Sequence, residues 1–401
     1  MHSQPTTLSS TIPRTVWVVG WVSFLMDVSS EMVYPLVPLF LSSSLGASKF
    51  VIGTIEGIAE AAASFLKLFS GLLADRFHRY KLLMGLGYGI STCSRPLLAL
   101  ATHWGIVLTA RFIDRTGKGL RTAPRDALIV AATPQTQLGM VFGFHRSMDT
   151  AGAILGPALA FGLLAVWPAD YRLVFWLSVV PATLAVGLIL FGIRADQPSS
   201  PASRFTWSWS LRGLDARFVG FLLVIGVFSL GHASTAFLLL KAEHAGVSSA
   251  WISGLYLLLN ITHFLLLMPS GMLSDRIGRE RVIILGFSLF IAAYSGLAWF
   301  ANPWSLGGFF VLYGMYMGMT EGVLRAYVAT LVSERQRATG FGLYHMVAGI
   351  MIFPANVIAG MLWDHIGPAA PFWFGSGLAA LAIGLFVGVV WRPPFQALYK
   401  H

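Results

Sequence analysis

Long, predominantly apolar stretches constrain this chain more than any other feature. They run approximately over 15–41, 50–74, 81–101, 104–130, 138–167, 170–194, 214–240, 248–274, 281–301, 304–332, 338–364 and 370–391. Each exceeds the roughly 18 residues that mark a bilayer-spanning helix rather than a core helix. Inside hydrocarbon a segment must satisfy its own backbone amides, so twelve such stretches predict twelve helices. Composition agrees. Charged residues make up 11% of the chain, where a soluble protein carries about a quarter, and the mean hydropathy is +0.71. The first stretch is too long and too charge-bearing for a cleaved leader, and no small-residue cleavage site follows it. The single cysteine, Cys93, allows no intramolecular disulfide and no cysteine-based metal site; mid-span, it reads as a small apolar filler.

The net charge of +10 raises the possibility of nucleic acid or anionic lipid as a partner, and its distribution decides between them. Bases crowd alternate polar breaks: Arg14; Arg76, Arg79 and Lys81; Arg194, Arg204, Arg212 and Arg217; Arg276, Arg279 and Arg281; Arg335 and Arg337; Arg392 and Lys400. The intervening breaks hold only Lys49, Arg172 and Lys241. That is the positive-inside pattern, and it puts both termini in the cytoplasm of a multi-pass protein in a bacterial-type inner (plasma) membrane. The basic excess thus reads as topology. No nucleic-acid-binding motif accompanies it.

A Pro/Ser-rich stretch at 195–213 divides the chain at its middle, and a repeat runs across it at an offset of 200 residues. Gly71-Leu-Leu-Ala-Asp75-Arg76-Phe-His-Arg79-Tyr-Lys81 recurs as Gly271-Met-Leu-Ser-Asp275-Arg276-Ile-Gly-Arg279-Glu-Arg281, and the same offset pairs Trp104 with Trp304, Arg125 with Arg325 and His145 with His345. The expected architecture is an all-α integral membrane protein of twelve transmembrane helices in two pseudo-symmetric six-helix bundles, 1–194 and 214–401, joined by a cytoplasmic linker. A monomer suffices for this plan.

The two Gly-x-x-x-Asp-Arg-x-x-Arg-x-Lys/Arg loops resemble the most specific loop motif of the major facilitator superfamily, and the likeness covers essentially the whole chain. It implies that Gly71, Asp75, Arg76, Arg79 and Gly271, Asp275, Arg276, Arg279 form a gate whose ion bridge locks an outward-facing state. The alternative is a solvated basic loop that serves topology alone. Gly152-Ala-Ile-Leu-Gly156-Pro157-Ala-Leu-Ala160 resembles the Gly-x-x-x-Gly-Pro-x-x-Gly motif of that superfamily's drug/proton antiporters, with Ala160 replacing the last glycine. Gly152 and Gly156 share one helix face and permit close contact, while Pro157 removes one backbone hydrogen bond and allows a bend. This likeness favours export.

Nine bases fall inside the spans: Lys67, Arg95, Arg111, Arg115, Lys118, Arg121, Arg125, Arg146 and Arg325. Eight acids join them: Asp27, Glu31, Glu56, Glu60, Asp114, Asp126, Asp149 and Glu321. A charge at the bilayer centre costs at least about 2.5 kcal/mol, so these groups must line an aqueous cavity or pair with one another. Helical spacing places Asp27 and Glu31 on one face, and Glu56, Glu60 and Lys67 on one stripe. Arg111, Asp114, Arg115, Lys118, Thr122, Arg125 and Asp126 share an arc of about 120°. The superfamily likeness implies that spans 1, 4, 7 and 10 line the cavity. Arg111, ahead of Gly117-Lys118-Gly119, resembles the fourth-span arginine tied to proton transfer in exporters; Arg115, where a glycine is usual, and Lys118 point to an anionic group on the solute.

These readings nominate Asp27, Glu31, Glu56 and Arg111 for proton coupling, with His145 and His345 as alternatives. For solute they nominate Tyr34, Arg111, Asp114, Arg115, Lys118, Arg125, His145, Asp149, Tyr313, Glu321 and Arg325. Mutual neutralisation of acids and bases is the competing account for any one of them. No Gly-x-x-x-x-Gly-Lys-Ser/Thr loop occurs, which excludes pumping on ATP by this chain, and no cofactor or metal is expected. The function read from the sequence is proton-coupled export of a small amphipathic or anionic organic compound. Proton-symport uptake of an organic anion or metal chelate is the rival. An enzyme or receptor would need a soluble domain or a metal cluster, and the sequence offers neither.

Overall fold

A computed structural model describes residues 12–77, 79–134, 138–193, 215–300, 302–332 and 337–390; the side chains of 67–69, 71–77, 138–140, 304 and 337–339 lie outside the description. It is all-helical, and twelve spans follow the chain. Span 1 comprises α1 (Arg14–Val33) and α2 (Val37–Leu39), the latter running on into a π-helical turn, Phe40–Ser44. Spans 2 to 6 are α3 (Lys49–Phe77), α4 (Tyr80–Ala99), α5 (Trp104–Ala131), α6 (Leu138–Val166) and α7 (Tyr171–Gly192). Span 7 comprises α8 (Ala216–Gly231) and α9 (Ala236–His244). Spans 8 to 12 are α10 (Ser249–Ile277), α11 (Arg279–Trp299), α12 (Pro303–Leu331), α13 (Arg337–His365) and α14 (Ala370–Leu385), the last extended by a π-helical turn, Phe386–Val390. By length and composition, eight spans are apolar enough among the described residues to cross a membrane; the other four are α3, α4, α5 and α12.

The two halves repeat one packing scheme. In the first, α1 lies against α6 and α7, α5 against α3 and α4, and α4 against α7. In the second, α8 lies against α13 and α14, α12 against α10 and α11, and α11 against α14. Across the divide α3 runs along α13, and α6 along α10. These two seams are equivalent under exchange of the halves, the pseudo-two-fold relation that a duplicated bundle produces. The linker 195–213 lies outside the described residues.

Two spans differ from the expected continuous helices. Span 1 breaks into a turn at 34–36 and span 7 into an irregular stretch at 232–235. Beyond the breaks α2 packs on α9, whereas α1 and α8 share no extensive contact, nor do α5 and α12, among the described residues. The halves therefore meet at the end of the bundle remote from Arg14 and Val390 (the far end) and splay towards the end where both lie (the terminal end). Further ties close the far end. The backbone amides of Lys49 and Phe50, at the start of α3, donate to the carboxylate of Asp364, near the end of α13, at 3.1 and 2.7 Å. Lys49 also stands 4.0 Å from Glu243. The cleft opens at the terminal end. Cys93 is exposed on the outside of the bundle rather than packed within it.

Candidate functional site

The glycines of span 5 determine where the carboxylates of span 1 stand. A Cβ on Gly152 would come 2.6 Å from the Phe24 carbonyl and 2.9 Å from Cβ of Asp27; one on Gly156 would come 2.7 Å from the Val28 carbonyl and 2.8 Å from Cβ of Glu31. The small-residue face of α6 thus lies directly on the Asp27/Glu31 face of α1. Pro157 is buried inside α6, which continues unbroken. Glu31 reaches across the divide and accepts a hydrogen bond from Tyr256 of α10 at 2.8 Å. Asp27 makes no hydrogen bond or ion pair among the described residues. Asp149 and Glu31 repel its charge, while Lys118 and Arg121 attract it.

The fourth-span column divides in two. One part turns into the first half and is neutralised there. Arg111, 3% exposed, forms a two-pronged pair with Glu56 of α3, at 3.1 Å from Nε and 2.7 Å from the terminal nitrogen. Asp114 receives Arg95 of α4 at 3.2 Å, and Arg95 also donates to Ser29 and Ser30 at 3.1 and 2.8 Å. Arg121 bonds Ser91 and lies 4.5 Å above the ring of Tyr88. Burying such charges requires this degree of satisfaction. For Arg111 and Asp114 an acid–base pair is the arrangement found, and the partner of Asp114, Arg95, is absent from the nominated set.

The other part faces the divide. Arg115 pairs with half-buried Glu60 at 3.1 Å and keeps a buried Nε without a partner. Lys118 has no ion partner among the described residues, and it lines one pocket with Ser30, Glu31, Tyr34, Arg111, Asp114 and Arg115. Tyr34, in the break of span 1, roofs this pocket, with the guanidiniums of Arg111 and Arg115 at 5.4 and 5.8 Å from its ring centre. Its hydroxyl meets Ser234, in the break of span 7, at 3.2 Å, and the Ser234 amide donates to Asn356 at 2.9 Å. One tyrosine therefore joins the pocket to the closure of the far end. Arg125 pairs with Asp126 at 3.0 Å and lies 3.9 Å from Asp149; His145 stands 3.6 Å from Asp149 and 2.9 Å from Ser23.

In the second half Glu321 binds Arg325 at 2.8 Å, His263 at 2.9 Å and, across the divide, Arg146 at 3.2 Å. Tyr313, nominated for solute, lies in α12 on the second half. It bonds His232 at 2.8 Å within a buried aromatic group with Phe290, Tyr294 and Tyr316; its ring is held by stacking, which apolar burial favours over a polar cleft. His345 is exposed beside Tyr344.

Of the nominated gate, the side chains of Gly71, Asp75 and Arg76 lie outside those described. Arg79 is exposed at the start of α4, and Asp275 and Arg276 are exposed and make no ion pair among the described residues. Arg279 donates to the Ala326 carbonyl at 3.1 Å, and among the described residues nothing stands within 4 Å of where a Cβ on Gly271 would be. Sequence reasoning had no signal for Tyr256 or Ser234 as partners, because each is an uncharged residue whose bond to Glu31 or Tyr34 comes from the other half. Arg95, Arg146 and Glu60 did carry a signal, as charges that hydrocarbon cannot hold.

Two repeated bundles around a charged cleft, closed at one end, are the architecture of a secondary transporter that binds its solute between the repeats. The profile of the Major Facilitator Superfamily matches residues 19–351 and 218–400. The chain belongs to that superfamily. It is 34% identical over 377 residues to an uncharacterized MFS-type transporter of Methanocaldococcus jannaschii, covering 92% of this chain and 94% of that one. It is 25% identical over 320 residues to the multidrug resistance protein MdtH of Photorhabdus laumondii, covering 78% and 77%. Among solved structures it superposes on the nucleoside transporter NupG, in a point-mutant form, with a TM-score of 0.74 at 16% identity, covering 96% of this chain and all of the other. The protein is a multi-pass membrane transporter and not an enzyme.

Proposed function

We propose that this transporter couples protons to the export of a small amphipathic or anionic organic compound. The terminal end then faces the cytoplasm of a bacterial-type inner membrane, as the basic breaks require, and the conformation described is open to the cytoplasm. The observation that carries the reading is the position of Glu31: it lines one pocket with Arg115 and Lys118, and its carboxylate takes a hydrogen bond from the opposite half at 2.8 Å. A proton on Glu31 weakens that charge-assisted bond and removes the negative charge facing the two bases. Proton occupancy, solute occupancy and the tie between the halves thus meet at one side chain. Asp27, one turn away and without a hydrogen bond or ion pair among the described residues, is the second candidate carrier. The resemblance to multidrug resistance proteins favours export, while uptake by symport uses the same residues.

Proteoliposomes with an imposed pH gradient test this, screened over organic anions and cationic drugs. Native protein should drive solute against a proton gradient, and Glu31→Gln and Asp27→Asn should abolish the gradient's effect while leaving downhill exchange. Native transport that ignores the gradient would refute the proton coupling.

A further inference from the structure

Arg95, Arg111 and Arg121 are buried and bonded inside the first half, whereas two arginines in the open cleft, one on each half, are largely exposed. The side chains of Arg146, on α6, and Arg325, on α12, are 55% and 53% exposed. They come from opposite halves and converge on one atom, Oε1 of Glu321, at 3.2 and 2.8 Å. The other carboxylate oxygen is held by His263 of α10 at 2.9 Å. A guanidinium carries five N–H donors in a planar fork that matches a carboxylate two-pronged. Each of these two commits one donor to protein among the described residues, so most of the fork is turned to the cleft. Arg111 shows the contrast, with both prongs of its fork on Glu56 and its side chain buried.

We propose that Arg146 and Arg325 form a carboxylate-binding subsite in the cleft, for which Glu321 is the resident occupant that an organic anion displaces. The inference rests on the reading that the solute is anionic. It adds a second place for the acid group, away from the Glu31–Lys118 pocket and built from both halves. An arriving carboxylate takes the two forks, and Glu321 swings to His263, which holds its other oxygen already. Because one arginine sits on each half, the bound anion ties the halves together at mid-cleft.

The probe is para-fluorobenzoate, its binding to protein in lipid nanodiscs followed by fluorine NMR at low ionic strength and without any pH gradient. Glu321→Gln frees both forks and should tighten binding up to about fivefold, the upper end of what a screened charge pair supplies. Arg146→Gln should weaken binding by a similar factor, and adding it to Glu321→Gln should cancel the gain. The amine analogue para-fluorobenzylamine should show no gain in Glu321→Gln. Unchanged or weaker binding in Glu321→Gln, or native affinity in Arg146→Gln, overturns the subsite. Arg146 is more than half exposed, so its variant tests the idea even if Glu321→Gln does not fold. The measurement involves no proton gradient, so it can fail while proton-driven transport stands, and the reverse.

Discussion

The Arg111–Glu56 pair illustrates what the first half requires of single residues. Both side chains are almost fully buried, and two hydrogen bonds join them. Removing one partner strands a charge in a medium of low dielectric, at a cost of about 3–5 kcal/mol, whereas removing both together is far milder. Glu56→Gln should therefore lower the melting temperature of the purified protein clearly, and Glu56→Gln/Arg111→Gln should recover much of the loss. A double variant no more stable than the single one would mean that Arg111 has other essential partners. The charged residues themselves were legible from the sequence, because hydrocarbon leaves no neutral explanation for Arg111 or Asp114. Their pairing was not. Helical periodicity gives the face of α5 on which a base lies, but α3 and α4 choose its partner, and no local signal says that Asp114 takes Arg95 rather than Arg111.

At the scale of elements, the spans could be read within a few residues because bilayer thickness dictates their length. The breaks in spans 1 and 7 could not. Pro35 sits at the first break, but Pro96, Pro124, Pro157, Pro181, Pro269 and Pro354 all lie inside continuous helices, so a proline alone does not mark an interruption. The second break contains no proline at all. It is held by the bonds of Ser234 to Tyr34 and Asn356, partners far away in sequence. The glycine face of α6 was legible, and its role can be tested within one helix. Gly156→Val puts side-chain atoms into the Val28 carbonyl, whereas Gly162 has nothing within 4 Å of its Cβ position. Gly156→Val should separate α6 from α1, destabilise the protein by about 1–3 kcal/mol as overpacking does and impair transport, while Gly162→Ala leaves both unchanged. Equal behaviour of the two variants would sink the claim that this face seats Asp27 and Glu31.

For the molecule as a whole, the question is what holds the far end closed while the terminal end stands open. The start of a helix leaves its first backbone N–H groups without partners, and at α3 two of them are met by a carboxylate from the other half, that of Asp364. This is helix capping across the divide. It exists only while the halves touch there, so it stabilises the closed far end and contributes nothing once that end opens. A lost cap carboxylate costs about 0.5–2 kcal/mol, and Asp364 is exposed, which favours the lower part of that range through screening. Asp364→Ala should accordingly shift the balance about 2- to 10-fold towards the state open at the far end. Asp364→Asn, which keeps an acceptor oxygen, should shift it less. Spin labels at exposed Ser44 and His244, in a Cys93→Ser background, would span that end on either side of the divide. In Asp364→Ala their distance distribution should gain a longer component, most visibly at low ionic strength. A distribution identical to that of the parent would show that the remaining ties, among them the contact of α2 with α9 and the Tyr34–Ser234 bond, hold the far end closed without the carboxylate.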